Sequence, residues 1–152
     1  MTKILFVCHG NICRSPMAEF TMKEIAKQRG IEGDFYIESA ATSTEEIGNG
    51  VYPPVKRLLA ARGISCEGKR ARQIRRDDYD KFDYIICMDS YNIRNIKRII
   101  PNDVAGKISL LMDHTNNPHD VADSWYTGDF KLTERDIQEG CEALIEKITA
   151  KA

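Results

Sequence analysis

The stretch "ILFVCHGNICRSPM", Ile4–Met17, decides the fold. Its first four residues form a continuous apolar run, the pattern of a short strand buried on both faces. From Ser15 onward the pattern turns helical: Ser15 offers a cap, Pro16 suits the first helical position, and Gly30 closes the segment. The residues from Cys8 to Arg14 therefore form a turn that leads from a buried strand into a helix.

The same alternation continues outward from this unit. Phe35 to Ala40 reads as a second strand, and Pro54 to Arg62 as a helix with Val55, Leu58 and Leu59 on one face before Gly63. Tyr84 to Met88 reads as a third strand. The next helix runs from Ser90, with Ile93, Ile96 and Ile100 on a common face and Pro101 as its stop. Lys107 to Leu111 is the fourth strand, a long loop follows from Asp113 to Leu132, and Thr133-Glu134-Arg135-Asp136 starts a last helix. Ile137, Cys141, Leu144, Ile145 and Ile148 give that helix its apolar stripe. Strands alternating with helices imply an α/β fold whose parallel sheet is covered on both faces, with ligands beyond the carboxyl ends of the strands. The expected architecture is a three-layer, flavodoxin-like domain with a central four-stranded parallel sheet in the order 2-1-3-4. Residues 1–152, 42% of them apolar, suit one domain with a proper core.

Lysine and arginine (22) nearly balance aspartate and glutamate (23), so no global field favours nucleic acid or an anionic membrane. Any anion site must be local. The N-terminal apolar run is too short for a signal peptide, and no later segment approaches a membrane span, so a soluble, cytoplasmic chain is expected. The five cysteines, Cys8, Cys13, Cys66, Cys87 and Cys141, lack zinc-type pairs and are expected as free thiols in a reducing compartment.

A loop that opens onto a helix N-terminus presents unpaired amides and the positive end of the helix dipole, which suits an anion. Gly10 and Asn11 are the residues best able to take left-handed angles and turn successive amides inward, and Arg14 adds a planar cation that grips two phosphate oxygens at once. The expected guest is a phosphoryl group. Cys8 stands at the start of the loop, where the same amides, dipole and guanidinium favour a thiolate poised for in-line attack. Ser15 is placed to hydrogen-bond that thiolate. A lone cysteine is more often a small buried hydrophobe. Cysteine, five residues, arginine and serine between strand and helix answer together the needs of phosphoryl transfer.

At these residues the chain resembles the low-molecular-weight protein tyrosine phosphatases. "CHGNICRSP" is similar to that family's phosphate loop, "ESAATS" (38–43) to its second strand and following turn, and "EIGN" (46–49), "ARQI" (71–74) and "FDYIICMD" (82–89) continue the match along essentially the whole chain. The resemblance implies hydrolysis of phosphotyrosine and small aryl phosphates without metal or organic cofactor. Cys8 is the implied nucleophile, forming a cysteinyl phosphate, and Arg14 with the loop residues His9, Gly10, Asn11, Ile12, Cys13 and Ser15 binds the phosphate. The general acid falls in "ADSWYTGDF" at Asp123, where Ser124 replaces the family's usual proline and leaves the loop less constrained. Asp129 is a lesser candidate. Asn11, Ser15 and Ser39 match the residues that support the loop from behind, and His9, Ile12, Glu45, Trp125 and Tyr126 form the substrate rim. His9 and Glu45 depart from the family's less polar residue and its aromatic. Cys13 is implied as a resolving partner for Cys8 under oxidation, with packing as its other reading. Asp89 matches a family position and is expected to cap a helix. Phosphotyrosine proteins or peptides are the implied partners, with phosphate and other oxyanions as inhibitors.

Several other features read more plainly. "KRARQIRRDDYD" (69–80) has the look of a self-neutralising solvated surface, and His114 and His119 of polar loop residues rather than metal ligands. Arsenate reduction on the same scaffold needs a second redox cysteine after Cys87, which "CMDSYNIRNI" lacks. The protein arginine phosphatases favour threonine where Ile12 stands, so Ile12 points to tyrosine. A phosphotyrosine-binding module without turnover would need neither Cys8 nor Asp123.

Overall fold

The computed structural model describes residues 1–151. Its sheet has four strands, β1 (Thr2–Cys8), β2 (Phe35–Ala41), β3 (Tyr84–Cys87) and β4 (Ile108–Leu110), all parallel and in the order β2-β1-β3-β4. This is the expected architecture. The helices are α1 (Arg14–Gln28), α2 (Pro53–Ala61), α3 (Asp78–Lys81), α4 (Ser90–Ile96), α5 (Ser124–Thr127) and α6 (Phe130–Ala150). None of the described helices is long and apolar enough to cross a membrane.

Alternate β1 residues feed opposite layers, as the two-residue period of a strand requires. Ile4, Phe6 and Cys8 join a cluster with Met17 and Met22 of α1 and with Ile137, Cys141, Leu144 and Ile145 of α6. Leu5 and Val7 join Ile74, Phe82, Ile85, Cys87 and Ile96 on the other face. Because β1 is buried on both faces, its end is a rigid base for the turn that follows. Val7 pairs with Cys87 and Cys8 with Ala41, so the ends of β1, β2 and β3 reach one edge together. The strand order reverses between β1 and β3, and a crevice opens there.

Several local expectations need correction. Helix α1 begins at Arg14, and Cys13 is its N-cap without a side-chain cap bond. Ser15 therefore lies inside the first turn, its hydroxyl directed at the site. Pro16 stands third in the helix, where its missing N–H costs nothing because the first four amides have no helical acceptor. Helix α4 ends at Ile96, and the chain reaches Pro101 through further turns. The last helix starts three residues earlier than Thr133, capped by Asp129, whose Oδ1 accepts from Leu132 N at 3.0 Å. The long loop holds a 3₁₀ turn at Leu111–His114 and the short α5. The 69–80 segment is not simply a solvated surface: Asp78 is buried, accepts a paired contact from Arg72 (2.9 and 3.2 Å), and takes a third bond from Arg75 N.

Candidate active site

Beyond the carboxyl ends of β1 and β3 lies an open cleft of about 590 Å³. Cys8, His9, Gly10, Ile12, Cys13 and Arg14 of the turn line its floor, with Asp123, Trp125 and Tyr126 on one side and Glu45 and Glu46 among the other lining residues. Of the sequence-predicted residues, only Asn11, Ser15, Ser39 and Asp129 lie outside this lining. The first three support it from behind.

Asn11 is the one non-glycine residue with positive φ, +59°, among the described residues, and it is fully buried. Gly10 is not in the left-handed region. Its small size matters for another reason, since a Cβ there would stand 3.3 Å from Cγ of Glu46. The Asn11 amide donates to Ser15 Oγ (2.8 Å) and Ser39 Oγ (3.0 Å), while its Oδ1 accepts from Arg72 N at 3.2 Å. Ser15 Oγ lies 3.0 Å from Cys8 Sγ. Because Asn11 donates to that hydroxyl, the hydroxyl hydrogen is free for the sulfur, and Ser15 N adds a 3.4 Å contact.

The chain of bonds continues outward to a residue that sequence reasoning missed. Ser39 Oγ donates to Glu19 Oε1 at 2.6 Å, and the buried Glu19 carboxylate is balanced by Lys23 (2.6 Å) and Lys69 (3.4 Å). Burial, acting before the pull of Glu19, holds the Lys69 ammonium below its ordinary pKa. On sequence alone Glu19 is an ordinary helix-surface glutamate.

Arg14 is buried; its Nη1 is ion-paired with Asp89 Oδ2 (2.8 Å) and donates to the Val121 carbonyl (3.0 Å). Its Nη2 reaches Asp123 Oδ2 at 3.5 Å. Burial works against its charge, but Cys8, Asp89 and Asp123 outweigh that and push its pKa further up. Asp89 does cap α4, in a reciprocal box with Asn92, yet its role is wider than the cap that was expected. Its position at the carboxyl end of β3 was the available signal.

Asp123 caps α5, accepting from Trp125 N at 3.1 Å through Oδ1, which leaves Oδ2 facing the cleft beside Arg14. Ser124, in place of the family's proline, is buried, and its hydroxyl lies 3.3 Å from Cys13 Sγ, a contact between this loop and the phosphate turn. The rings of Trp125 and Tyr52 pack at 4.9 Å, and Tyr52 stacks on Phe130 at 5.9 Å. Asp129 is engaged as the cap of α6 and does not line the cleft. At the mouth, His9 Nε2 meets Glu45 Oε2 at 2.6 Å, so the two residues that depart from the family's pattern are paired with each other.

Burial raises the Cys13 thiol to about 11, against a smaller lowering from Ser124, and burial also raises Cys66, Cys87 and Cys141. His119 pairs with Asp136 and His114 with Ser109. Among the described residues no group of three or more histidine, cysteine or carboxylate side chains is arranged to hold a metal ion.

Comparison with known proteins agrees with this fold. Residues 3–152 match the sequence profile described as low molecular weight phosphotyrosine protein phosphatase. The chain is 39% identical over 150 residues to the low molecular weight protein-tyrosine-phosphatase YfkJ of Bacillus subtilis, covering 97% of this chain and 96% of that protein. It is 38% identical to the low molecular weight phosphotyrosine protein phosphatase of Gallus gallus, covering 95% and 94%. The crystal structure of the Bacillus protein superposes with a TM-score of 0.95, covering 99% of this chain and 96% of that one.

Proposed function

The chain belongs to the low-molecular-weight phosphotyrosine protein phosphatase family and is a cysteine-dependent phosphatase, and from that premise we propose that Cys8 attacks phosphotyrosine while Asp123 acts first as acid and then as base. One observation carries this reading: Cys8, Arg14 and Asp123, far apart in sequence, line a single cleft.

The substrate phosphate lies over the turn, its oxygens met by loop amides at the N-terminus of α1. Arg14 Nη1 is already engaged by Asp89 and Val121, which leaves Nε and Nη2 for two equatorial oxygens. The Cys8 sulfur forms the S–P bond as the P–O bond to the phenol breaks, and Asp123 delivers a proton to the departing oxygen. Ser15 stabilises the thiolate before attack and again when water, deprotonated by Asp123, displaces it. The residues that hold Asn11 keep the amides in place without touching substrate. Trp125, Tyr126, Ile12, His9 and Glu45 flank the aromatic ring and the peptide around it. Phosphate and related oxyanions compete for the same cradle. Free, largely buried cysteines suit the reducing cytoplasm.

The deciding experiment is hydrolysis of para-nitrophenyl phosphate, with chelator present, by wild type, Cys8→Ser and Asp123→Ala. Cys8→Ser should abolish turnover, and Asp123→Ala should lower it strongly, toward the low end of the ~10²- to 10⁴-fold worth of a general acid because this leaving group needs little protonation. A folded wild type that binds phosphotyrosine without turnover would replace this reading with a binding module.

A further inference from the structure

The general acid stands on a short, partly exposed loop segment. Asp123 is about one-third exposed, and the helix it caps has only four residues. A reacting group must nevertheless be kept near its productive geometry, because misplacement of about 1 Å costs on the order of 10²-fold in rate. Some part of the rigid scaffold has to hold residues 119–123.

Helix α6 supplies two unexplained buried polar groups that face this segment. Thr133 is fully buried, and its hydroxyl donates to the Ala122 carbonyl at 2.9 Å. A helical threonine ordinarily turns its hydroxyl to the carbonyl four residues back. Here that carbonyl, of Asp129, is the more distant partner at 3.4 Å. One turn further along the same face, the Asp136 side chain is 7% exposed, and its Oδ2 meets His119 Nε2 at 3.3 Å.

The His119 ring has its protons fixed by its partners. Nδ1 lies 2.7 Å from the Asn117 carbonyl, which can only accept, so Nδ1 carries hydrogen. Asp136 Oδ2 faces Nε2, so a proton on that nitrogen would complete the pair. In agreement, the Asn117 bond raises the His119 pKa, burial opposes it, and Asp136 adds to the rise. Between these two ties, Val121 N donates to the Met88 carbonyl at 2.9 Å and Val121 O accepts from Arg14. The ties at residues 119 and 122 bracket the carbonyl that orients Arg14 and end one residue before the acid.

We propose that Thr133 and Asp136 are positioning residues for catalysis: through Ala122 and His119 they fix the segment that aims Asp123 at the leaving-group oxygen. The proposal rests on Asp123 being the general acid. Neither residue lines the cleft, and without them Arg14 keeps its ion pair with Asp89 and Val121 its bond to Met88, so loss of either should impair proton delivery and leave anion binding intact.

The test compares kcat/KM on phenyl phosphate, whose leaving group needs a proton, with para-nitrophenyl phosphate, whose leaving group departs far more easily without one. Wild type, Asp123→Ala, Thr133→Val, Thr133→Ser, Asp136→Asn and His119→Gln are assayed, with inhibition by inorganic phosphate measured in each. Thr133→Val, Asp136→Asn and His119→Gln should lose about tenfold on phenyl phosphate and much less on para-nitrophenyl phosphate. Phosphate inhibition should be unchanged, and Thr133→Ser should retain wild-type selectivity. His119→Gln alters a part-exposed loop residue, so it reports even if a substitution within α6 prevents folding. Equal losses on both substrates, or none in folded variants, would overturn the proposal while the Asp123→Ala profile still identified the acid. If Asp123→Ala itself showed no leaving-group dependence, the assignment of the acid would fall, and this proposal with it.

Discussion

Asn11 combines a backbone requirement with a side-chain one at a single position. Its left-handed φ costs an ordinary side chain ~1 kcal/mol that glycine does not incur, and its amide links Ser15, Ser39 and the Arg72 backbone. The two effects separate by substitution. Asn11→Ala and Asn11→Gly should both lose activity, because Ser15 and the loop lose their common support. In thermal unfolding the glycine variant should be the more stable by ~1 kcal/mol, since only alanine retains the backbone penalty. Equal stabilities would mean that side-chain bonds alone hold the turn. The sequence marked Asn11, Cys8, Arg14 and Ser15 because their spacing within one turn is local. It did not mark Glu19, nor the contact of Asp89 with Arg14, because each becomes meaningful only when β1, β2 and β3 bring distant segments to one edge.

At the scale of elements, α6 shows how closely one helix can be set against the 3₁₀ turn that follows β4. A Cβ on Gly140 would fall 2.5 Å from Cγ of Leu111, which is itself fully buried. Glycine within a helix costs ~1 kcal/mol relative to alanine, but inserting a methyl into a filled core costs ~1–3 kcal/mol. Overpacking should win here, because Leu111 has no free space to retreat into. Gly140→Ala should therefore lower the melting temperature despite its better helix propensity, and a rise would show that Leu111 can repack. The four strands were legible as short apolar runs, and α1, α2 and α6 as periodic segments. The four-residue helices α3 and α5 were not, since one turn is too short to show a period. The start of α6 was misplaced because Thr133 to Asp136 look like a helix opening in sequence. In the structure Asp129 takes the cap, and Thr133 and Asp136 face the preceding loop.

The whole molecule sorts five cysteines into two at the cleft, Cys8 and Cys13, and three packing positions. The sheet carries Cys8 to an edge where it meets the cleft, while Cys87 lies inside the layer below and Cys141 is sealed between α6 and α1. Burial holds Cys13, Cys66, Cys87 and Cys141 up as thiols, so at neutral pH they are poor nucleophiles even where a reagent could reach them. Composition could count these residues but could not assign them, because burial depends on layers that form only in the folded chain. Brief treatment of the native protein with iodoacetate at neutral pH should label one cysteine, Cys8, and abolish turnover in step. Inorganic phosphate should slow both, since the anion occupies the same cradle, and full labelling should require denaturant. Early labelling of Cys13 in the native protein would mean that the turn opens on the timescale of reaction. The rigidity inferred from the Asn11 and Ser124 contacts would then be insufficient to hold the phosphate loop closed.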